Sequence, residues 1–277
     1  MSDIIESFGA SLVQHGPEND RAYLMKLDAN DLPTILPRLD SLGRQQGYSK
    51  LFAKVPATAS ELFIADGFEV EACVPDFYKG SEDGVFLGKY LQEDRATETQ
   101  PKLVEEILQA AAARSVGEVA TLPSSTPGCE RLHPEDTADM ADIYREVFAT
   151  YPFPIHDPAY LEETMQQDVF YYGIRGEDGL LAVASAEVDF TALNAEMTDF
   201  ATRPEARGAG LATTLLGTME SSMRSEGIRT AYTIARAYSF GMNITFARHN
   251  YIYSGTLTNN TQISGGLESM NVWHKAL

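Results

Sequence analysis

The hydrophobic and polar positions after residue 128 follow two spacings in turn. Apolar residues three to four positions apart predict an amphipathic helix, at Met140, Ile143, Tyr144, Val147 and Phe148. Further helices are predicted over AYLEETMQQ, LATTLLGTMESSMRSEG and SFGMNITFARHN. Apolar runs typical of strands lie at VFYYGIR, LLAVASAEVDF, NAEMTDFAT, RTAYTIAR, YIYSGTL and LESMNVWHKAL. This order predicts an α+β (mixed α/β) fold, with a central mixed twisted sheet flanked by helices.

The first part of the chain carries a weaker version of this pattern. Residues 47–91 and residues 227–277 both predict strand, helix, strand, loop and strand, and they end in GKYL and HKAL. We therefore expect residues 1–95 to form a smaller α/β domain that partly repeats the later one. A chance likeness of element order is the alternative. Extension of the sheet, a wall of the acceptor site and a homodimer contact all stay open as roles for this domain.

A charged stretch rich in small residues separates the two parts. Its middle, PKLVEEILQAAAARS, has helical spacing after a proline, and its ends are rich in Ser, Thr and Pro. We interpret residues 96–127 as a helix-containing connector, and residues 128–277 as the second domain.

Composition limits the partners. The 277 residues contain 21 Lys and Arg against 40 Asp and Glu, a formal net charge of -19. This balance argues against nucleic acid or an anionic membrane and is compatible with a small cationic partner. Cys73 and Cys129 form neither a disulfide framework nor a metal motif, and no metal site is expected. The amino terminus MSDIIESFGA is acidic where a signal peptide is basic, so a cytoplasmic location is expected.

A glycine-rich turn joins the strand NAEMTDFAT to the helix after it. The turn reads R-x-x-G-x-A, at Arg207, Gly208, Ala209, Gly210, Leu211 and Ala212. Such a junction directs unpaired N–H groups and the positive end of a helix dipole toward one point, which favours a phosphate or pyrophosphate. A tight connector without a ligand is the alternative. The turn lacks the Lys-Ser/Thr of a P-loop, and it comes too late in the chain for a dinucleotide-binding unit.

This turn resembles the pyrophosphate loop of the GNAT superfamily of N-acetyltransferases, whose pattern is Q/R-x-x-G-x-G/A. Arg207, Gly210 and Ala212 match it, and Pro204 matches the proline that usually precedes the loop. The resemblance covers residues 129–277, including the order of elements. It implies a GNAT-like acetyltransferase domain with acetyl-CoA as co-substrate.

A narrower resemblance is to the β-lysine N-acetyltransferases, in YPFPIHDP, AEMTDFAT, GMNITFARHNYIYSGTLTNNT and ESMNVWHK. It extends to the first domain and implies acetyl transfer to the side-chain amine of β-lysine, giving the osmolyte N6-acetyl-β-lysine. Acetylation of a polyamine or another diamino acid stays open. A non-catalytic acyl-CoA-binding sensor also stays open. Phe246 lies where many GNAT enzymes carry the tyrosine that protonates the leaving thiolate.

The resemblance also implies the residues that contact acetyl-CoA. The end of the strand before the turn would bind the pantetheine arm, through Phe200, Ala201 and Thr202. The whole turn, residues 207–212, would hold the pyrophosphate. Ser239 and Asn243 begin a helix where cofactor contacts are common in the superfamily, and helix capping is the favoured alternative.

The acceptor amine must lose a proton before it attacks, since a lysine-like amine titrates at about 10.4. Glu196 and Asp199 on the central strand are the candidate bases. Residues three apart in a regular strand face opposite sides, so without a bulge only one reaches the site. We rank Glu196 first because it shares a face with Thr198 and Phe200. With phenylalanine at position 246, Tyr251, Tyr253, water or the product ammonium would protonate the thiolate.

The acceptor itself has two ammonium groups and a carboxylate. The loop YPFPIHDP lies where the superfamily binds its acceptor, and it nominates Tyr151, Phe153 and Asp157. Acids on the strands that could hold an ammonium group are Glu187, Asp189 and Glu268. For each acid, a solvated surface position is the alternative.

Overall fold

The computed structural model describes residues 3–114 and 128–277. The strands are β1 (Ile4–Phe8), β2 (Ser11–Gly16), β3 (Arg21–Lys26), β4 (Lys50–Pro56), β5 (Glu69–Tyr78), β6 (Glu82–Tyr90), β7 (Cys129–Arg131), β8 (Val169–Gly176), β9 (Gly179–Asp189), β10 (Asn194–Thr202), β11 (Thr230–Arg236), β12 (Ile252–Ile263) and β13 (Gly266–Ala276). The α-helices are α1 (Leu32–Gln46), α2 (Ala57–Ala65), α3 (Pro101–Ala112), α4 (Thr137–Val147), α5 (Pro158–Met165), α6 (Leu211–Ser225) and α7 (Phe240–Arg248). Helix α3 lies within the expected connector, whose residues 115–127 lie outside the described residues.

The strands form one 13-stranded sheet in the order β1-β2-β3-β4-β6-β5-β12-β13-β11-β10-β9-β8-β7. Strands β3 and β4 pair in parallel, as do β10 and β11, and the other neighbours are antiparallel. The expected mixed sheet flanked by helices is confirmed. No described helix is long and apolar enough to cross a membrane.

One strand order occurs twice. The order β1-β2-β3-β4-β6-β5 in the N-terminal half (residues 3–91) matches β8-β9-β10-β11-β13-β12 in the C-terminal half (residues 128–277). Helices α1 and α6 connect the parallel strands, and α2 and α7 follow them. The two halves join where Ala72 of β5 pairs with Gly255 of β12. The likeness therefore begins before residue 47, where the sequence first indicated it.

Helices cover the outer face of each half because the strands place apolar residues there at alternate positions. In the N-terminal half, Leu24 and Leu51 pack with Ile35 of α1 and Phe63 of α2. In the C-terminal half, α6 and α7 cover one face of the sheet, and α4 and α5 pack on the other.

The inner faces of the two halves contact each other, because the sheet curls. Phe77 lies against Tyr232 with ring centroids 4.8 Å apart, within an apolar cluster shared by both halves. The side-chain amide of Asn194 donates to the carbonyl of Phe77 at 3.1 Å. Buried Arg95, just after the N-terminal half, donates to the carbonyl of Asn259 in β12 at 2.7 Å. A cavity lies between the halves beside these contacts.

Candidate active site

Two cavities have a wall residue of the C-terminal half in common. The loop cavity, about 670 Å³, is bounded by the end of β10, the turn before α6, β11 and α7. The inter-half cavity, about 730 Å³, lies between the inner faces of the two halves. Asp199 lines both cavities. Asp199 therefore borders the space that a group would occupy in either cavity.

The glycine turn forms one end of the loop cavity. Gly208 and Gly210 have φ values of +83° and +77°, a left-handed conformation that favours glycine. A β-carbon at either position would meet nothing within 4 Å, so the space beside the backbone is open. The first hydrogen bond of α6 runs from Thr214 N to Gly210 O at 3.1 Å, and the amides before it point out of the helix. This turn can hold an anion.

Most of the residues expected to contact a cofactor line the loop cavity: Phe200, Thr202, Arg207, Gly208, Gly210, Leu211, Ala212 and Ser239. Ala201 is buried in the core on the α4 side, and neither it nor Ala209 lines the cavity. Three further arginines, which the sequence analysis missed, line it as well: Arg114, Arg236 and Arg248. Arg114 and Arg248, together with Arg207, supply the positive charge that phosphate groups need, whereas the charge of Arg236 is paired with Glu268.

Strand β10 is irregular at the junction of the cavities. Its pairing with β9 shifts between Thr198 and Ala201, and Asp199 has a φ of +55°. This is the β-bulge that the expectation of opposite faces left open. The bulge turns the carboxylate of Asp199 to the inner side, where Tyr151 donates to Oδ1 and Ser185 donates to Oδ2 at 2.5 Å.

Comparison with known proteins gives the family. The profile of the acetyltransferase (GNAT) family matches residues 138–242. The chain is 38% identical to a β-lysine N6-acetyltransferase of Methanococcus maripaludis over 280 residues, which cover 99% of each chain. The chain belongs to the GNAT family of N-acetyltransferases. It is therefore an acyltransferase that depends on acetyl-CoA.

Two further relatives are also named as N-acetyltransferases. The N-acetyltransferase YodP of Bacillus subtilis is 32% identical over 279 residues, which cover 99% of this chain and 98% of YodP. A β-lysine N6-acetyltransferase of Methanosarcina mazei is 32% identical over 204 residues, which cover 73% of each chain. The geometry of the loop cavity fits the acetyl-CoA of GNAT enzymes, because open space, outward amides and arginines occur together there.

Three acids lie on the inner side of this GNAT domain. Glu187 of β9 is directly opposite Glu196 of β10, and Asp199 follows in the same strand. Burial raises the pKa of Glu187 well above its usual range, and the charges of Glu196 and Asp199 raise it further, while Lys54 opposes the rise. Burial also raises the pKa of Asp199 and that of Glu196. An ammonium group here would relieve the repulsion among the carboxylates.

The two candidate bases differ in access. Asp199 lines both cavities, whereas Glu196 lines neither. The charge of Lys54 and a hydrogen bond donated by Tyr232 partly offset the effect of burial on the pKa of Glu196. Geometry thus favours Asp199, although the sequence ranked Glu196 first.

The tyrosines considered as the acid lie away from the cavities. Phe246 lines the loop cavity, with its ring edge-on to Phe200 at 5.7 Å and to Tyr251 at 5.0 Å. Tyr251 is buried behind this wall, and its hydroxyl has no hydrogen-bond partner among the described residues. Tyr253 is exposed and lines neither cavity. Tyr151, expected as an acceptor contact, is the tyrosine that lines the loop cavity.

The acids and aromatic residues expected around the acceptor are not all together. Phe153 and Glu187 line the inter-half cavity. Asp157 is exposed and caps α5, accepting from Ala159 N at 3.0 Å. Glu268 forms a bidentate ion pair with Arg236, whose guanidinium nitrogens lie 2.9 and 2.6 Å from the two carboxylate oxygens. Among the described residues, no group of three or more His, Cys, Asp or Glu could hold a metal ion.

Asn243 and Ser239 have clear structural partners. The amide nitrogen of Asn243 donates to Arg236 O at 3.0 Å and to Ser239 O at 2.7 Å. Its oxygen accepts from Asn271 and from Trp273, each at 2.9 Å. Ser239 is the N-cap of α7 and accepts from Met242 N at 3.4 Å. The side chain of Asn243 therefore fastens α7 to β13.

Replacing Asn243 by alanine should lower the free energy of unfolding by about 3 kcal/mol, because buried donors on Asn271 and Trp273 lose their acceptor. Ser239→Ala, the matched change at the cap, should cost only about 1 kcal/mol. Urea denaturation of both variants measures the difference. Unchanged stability with a raised KM for acetyl-CoA in Asn243→Ala would instead favour a direct cofactor contact.

Proposed function

We propose that this enzyme transfers acetyl from acetyl-CoA to the side-chain amine of β-lysine, giving N6-acetyl-β-lysine, which serves as an osmolyte. The names of two relatives support this acceptor. The observation that carries the proposal is the position of Asp199 on the walls of both cavities. The acceptor would occupy the inter-half cavity and acetyl-CoA the loop cavity. A cytoplasmic location remains part of this proposal.

The turn and the arginines would hold the pyrophosphate and the other phosphates of acetyl-CoA. Asp199 takes a proton from the acceptor ammonium, and the free amine attacks the thioester carbonyl directly. A bulge leaves backbone groups out of the β-ladder, so an N–H beside Asp199 can polarise that carbonyl and stabilise the oxyanion. No covalent intermediate on the protein is required.

Tyr151 is placed to complete the proton transfer. Its hydroxyl already donates to Asp199, and its side chain lines the loop cavity where the leaving thiolate forms. In our proposal Tyr151 gives its proton to the thiolate and recovers one from protonated Asp199. The acceptor nitrogen loses two protons in all. Asp199 releases the first, taken from the ammonium group, to solvent. It then takes the second from the nitrogen of the tetrahedral adduct, and this proton reaches the sulfur through Tyr151, so both side chains return to their starting states.

Initial rates with acetyl-CoA and a panel of amines test this function. We expect kcat/KM for β-lysine to exceed that for spermidine by at least about 100-fold, since a site that pairs a substrate's polar groups rejects analogues that lack them. NMR of the product should place the acetyl group on N6. Turnover of spermidine without turnover of β-lysine would indicate a polyamine acetyltransferase. Acetyl-CoA binding without acetylation at any pH would indicate a sensor.

A further inference from the structure

The N-terminal half builds one wall of the inter-half cavity. Residues of β2, β3, β4 and β5 line it opposite Glu187, Asp199 and Tyr232 of the C-terminal half. The N-terminal half itself offers no comparable anion cradle. The carboxylate of Asp31, at the start of α1, accepts from the amide nitrogens of Ala10 and Ser11 at 2.9 and 2.8 Å. The N-terminal half therefore contributes to the site by lining the inter-half cavity.

Three lysines line this cavity in different states. Lys26 is exposed and forms an ion pair with Asp189 at 3.0 Å. Lys79 is exposed to solvent. Lys54 is half-buried, and its ammonium donates to the hydroxyl of Tyr232 at 2.8 Å. It makes no direct ion pair with any residue of ranges 3–114 and 128–277. Lys54 thus brings a sheltered positive charge whose close partner is a neutral phenol.

We propose that Lys54 binds the carboxylate of an amino acid acceptor, so that the N-terminal half selects zwitterionic diamines over plain polyamines. This inference rests on the proposed function of the inter-half cavity. The class of ligand is a diamino acid that carries its carboxylate and one ammonium group close together.

Charge complementarity supports this assignment. A wall of acids alone would suit a polyamine. Lys54 lies beside those acids, however, and its charge would repel a further ammonium group of a polyamine. The carboxylate of β-lysine is two carbons from its C3 ammonium, so one end of the acceptor meets Lys54 and Glu187. The other end, with the reacting amine, extends toward Asp199, which lines the same cavity.

Tyr232 fixes the position of Lys54. The tyrosine hydroxyl accepts from Lys54 and donates to Glu196, so the ammonium is held through one shared oxygen. The nitrogen retains further N–H donors for a ligand. The rings of Tyr232 and Phe77 lie 5.2 and 5.8 Å from this nitrogen and limit its movement. A positioned ammonium group loses less entropy on binding a carboxylate than a free surface lysine does.

The test compares two acceptors in the Lys54→Met variant. β-Lysine carries the carboxylate, and 1,4-diaminopentane is the same diamine without it. We expect Lys54→Met to raise KM for β-lysine about 10- to 100-fold, with kcat within about threefold, because one charged hydrogen-bonded contact is lost. The constant for 1,4-diaminopentane, measured as a substrate or as a competitive inhibitor, should stay unchanged or improve. Lys54→Arg should recover most of the affinity for β-lysine.

Lys26→Met is the matched control, since Lys26 lines the same cavity with its charge already paired. It should change KM for β-lysine less than about threefold, as expected for an exposed ion pair. Equal losses for both acceptors in Lys54→Met, or no rescue by arginine, would overturn the role of Lys54. Failure of the unaltered enzyme to acetylate β-lysine would overturn the proposed function itself.

Discussion

Replacing Asp199 by asparagine is expected to lower kcat by about 100- to 10,000-fold, the contribution typical of a general base. Asparagine keeps the size of the side chain but cannot take the proton of the acceptor ammonium. KM for acetyl-CoA should change little, because the cofactor is held by the turn at the far end of the loop cavity. Steady-state kinetics with each substrate varied in turn separates the two effects.

The pH profile adds a second readout for Asp199. Burial raises the pKa of this carboxyl, so its inactive protonated form persists to higher pH than in an exposed aspartate. In the unaltered enzyme, kcat should rise with pH as Asp199 loses its proton, and this rise should be absent from Asp199→Asn. Glu196→Gln is the matched change three residues earlier, and we expect it to lower kcat by less than about tenfold. A larger loss for Glu196→Gln than for Asp199→Asn would make Glu196 the base.

Gly210→Val should raise KM for acetyl-CoA by at least about 30-fold, because the anion loses a cradle that supplies several charge-assisted hydrogen bonds. Gly210 has a φ of +77°, and the space beside its α-carbon is open. A valine there fills the place of the pyrophosphate and strains the backbone as well. Titration calorimetry with CoA measures the loss directly.

Gly47→Val separates the two causes. Gly47 ends α1 with a φ of +73°, and a β-carbon there would also meet nothing within 4 Å. Both variants therefore carry a similar backbone strain, of about 1–2 kcal/mol. CoA affinity should be retained in Gly47→Val and lost in Gly210→Val. Equal weakening in both would mean that general destabilisation, not the cradle, explains the effect.

The element order of the C-terminal half could be predicted because its signals are local. The glycine turn, the spacing of apolar residues in α4 and the strand patterns each lie within a short stretch of chain. The matching strand order of the N-terminal half has no such local signal. Strands β1 to β3 have no turn motif like that at Gly210, so only the pairing of the sheet reveals their correspondence to β8 to β10.

The site could be predicted only in part, because its remaining features depend on distant contacts. The bulge at Asp199 depends on how β10 pairs with β9, and no residue type in the sequence predicts it. Lys54 and Tyr232 meet across 178 residues of sequence. Arg236 ends β11 and Arg248 ends α7, and their position around one cavity follows from packing. Residue types thus suggest candidate site residues, whereas contacts between distant parts of the chain determine which of them line one cavity.

A crystal structure of the enzyme with CoA and β-lysine bound tests the central claim most directly, namely that two substrates meet at Asp199. We expect the pyrophosphate against the amides of residues 208–212, and the N6 nitrogen of β-lysine within hydrogen-bond distance of the Asp199 carboxylate. β-Lysine bound outside the inter-half cavity, or with its N6 nitrogen directed away from Asp199, would contradict the account.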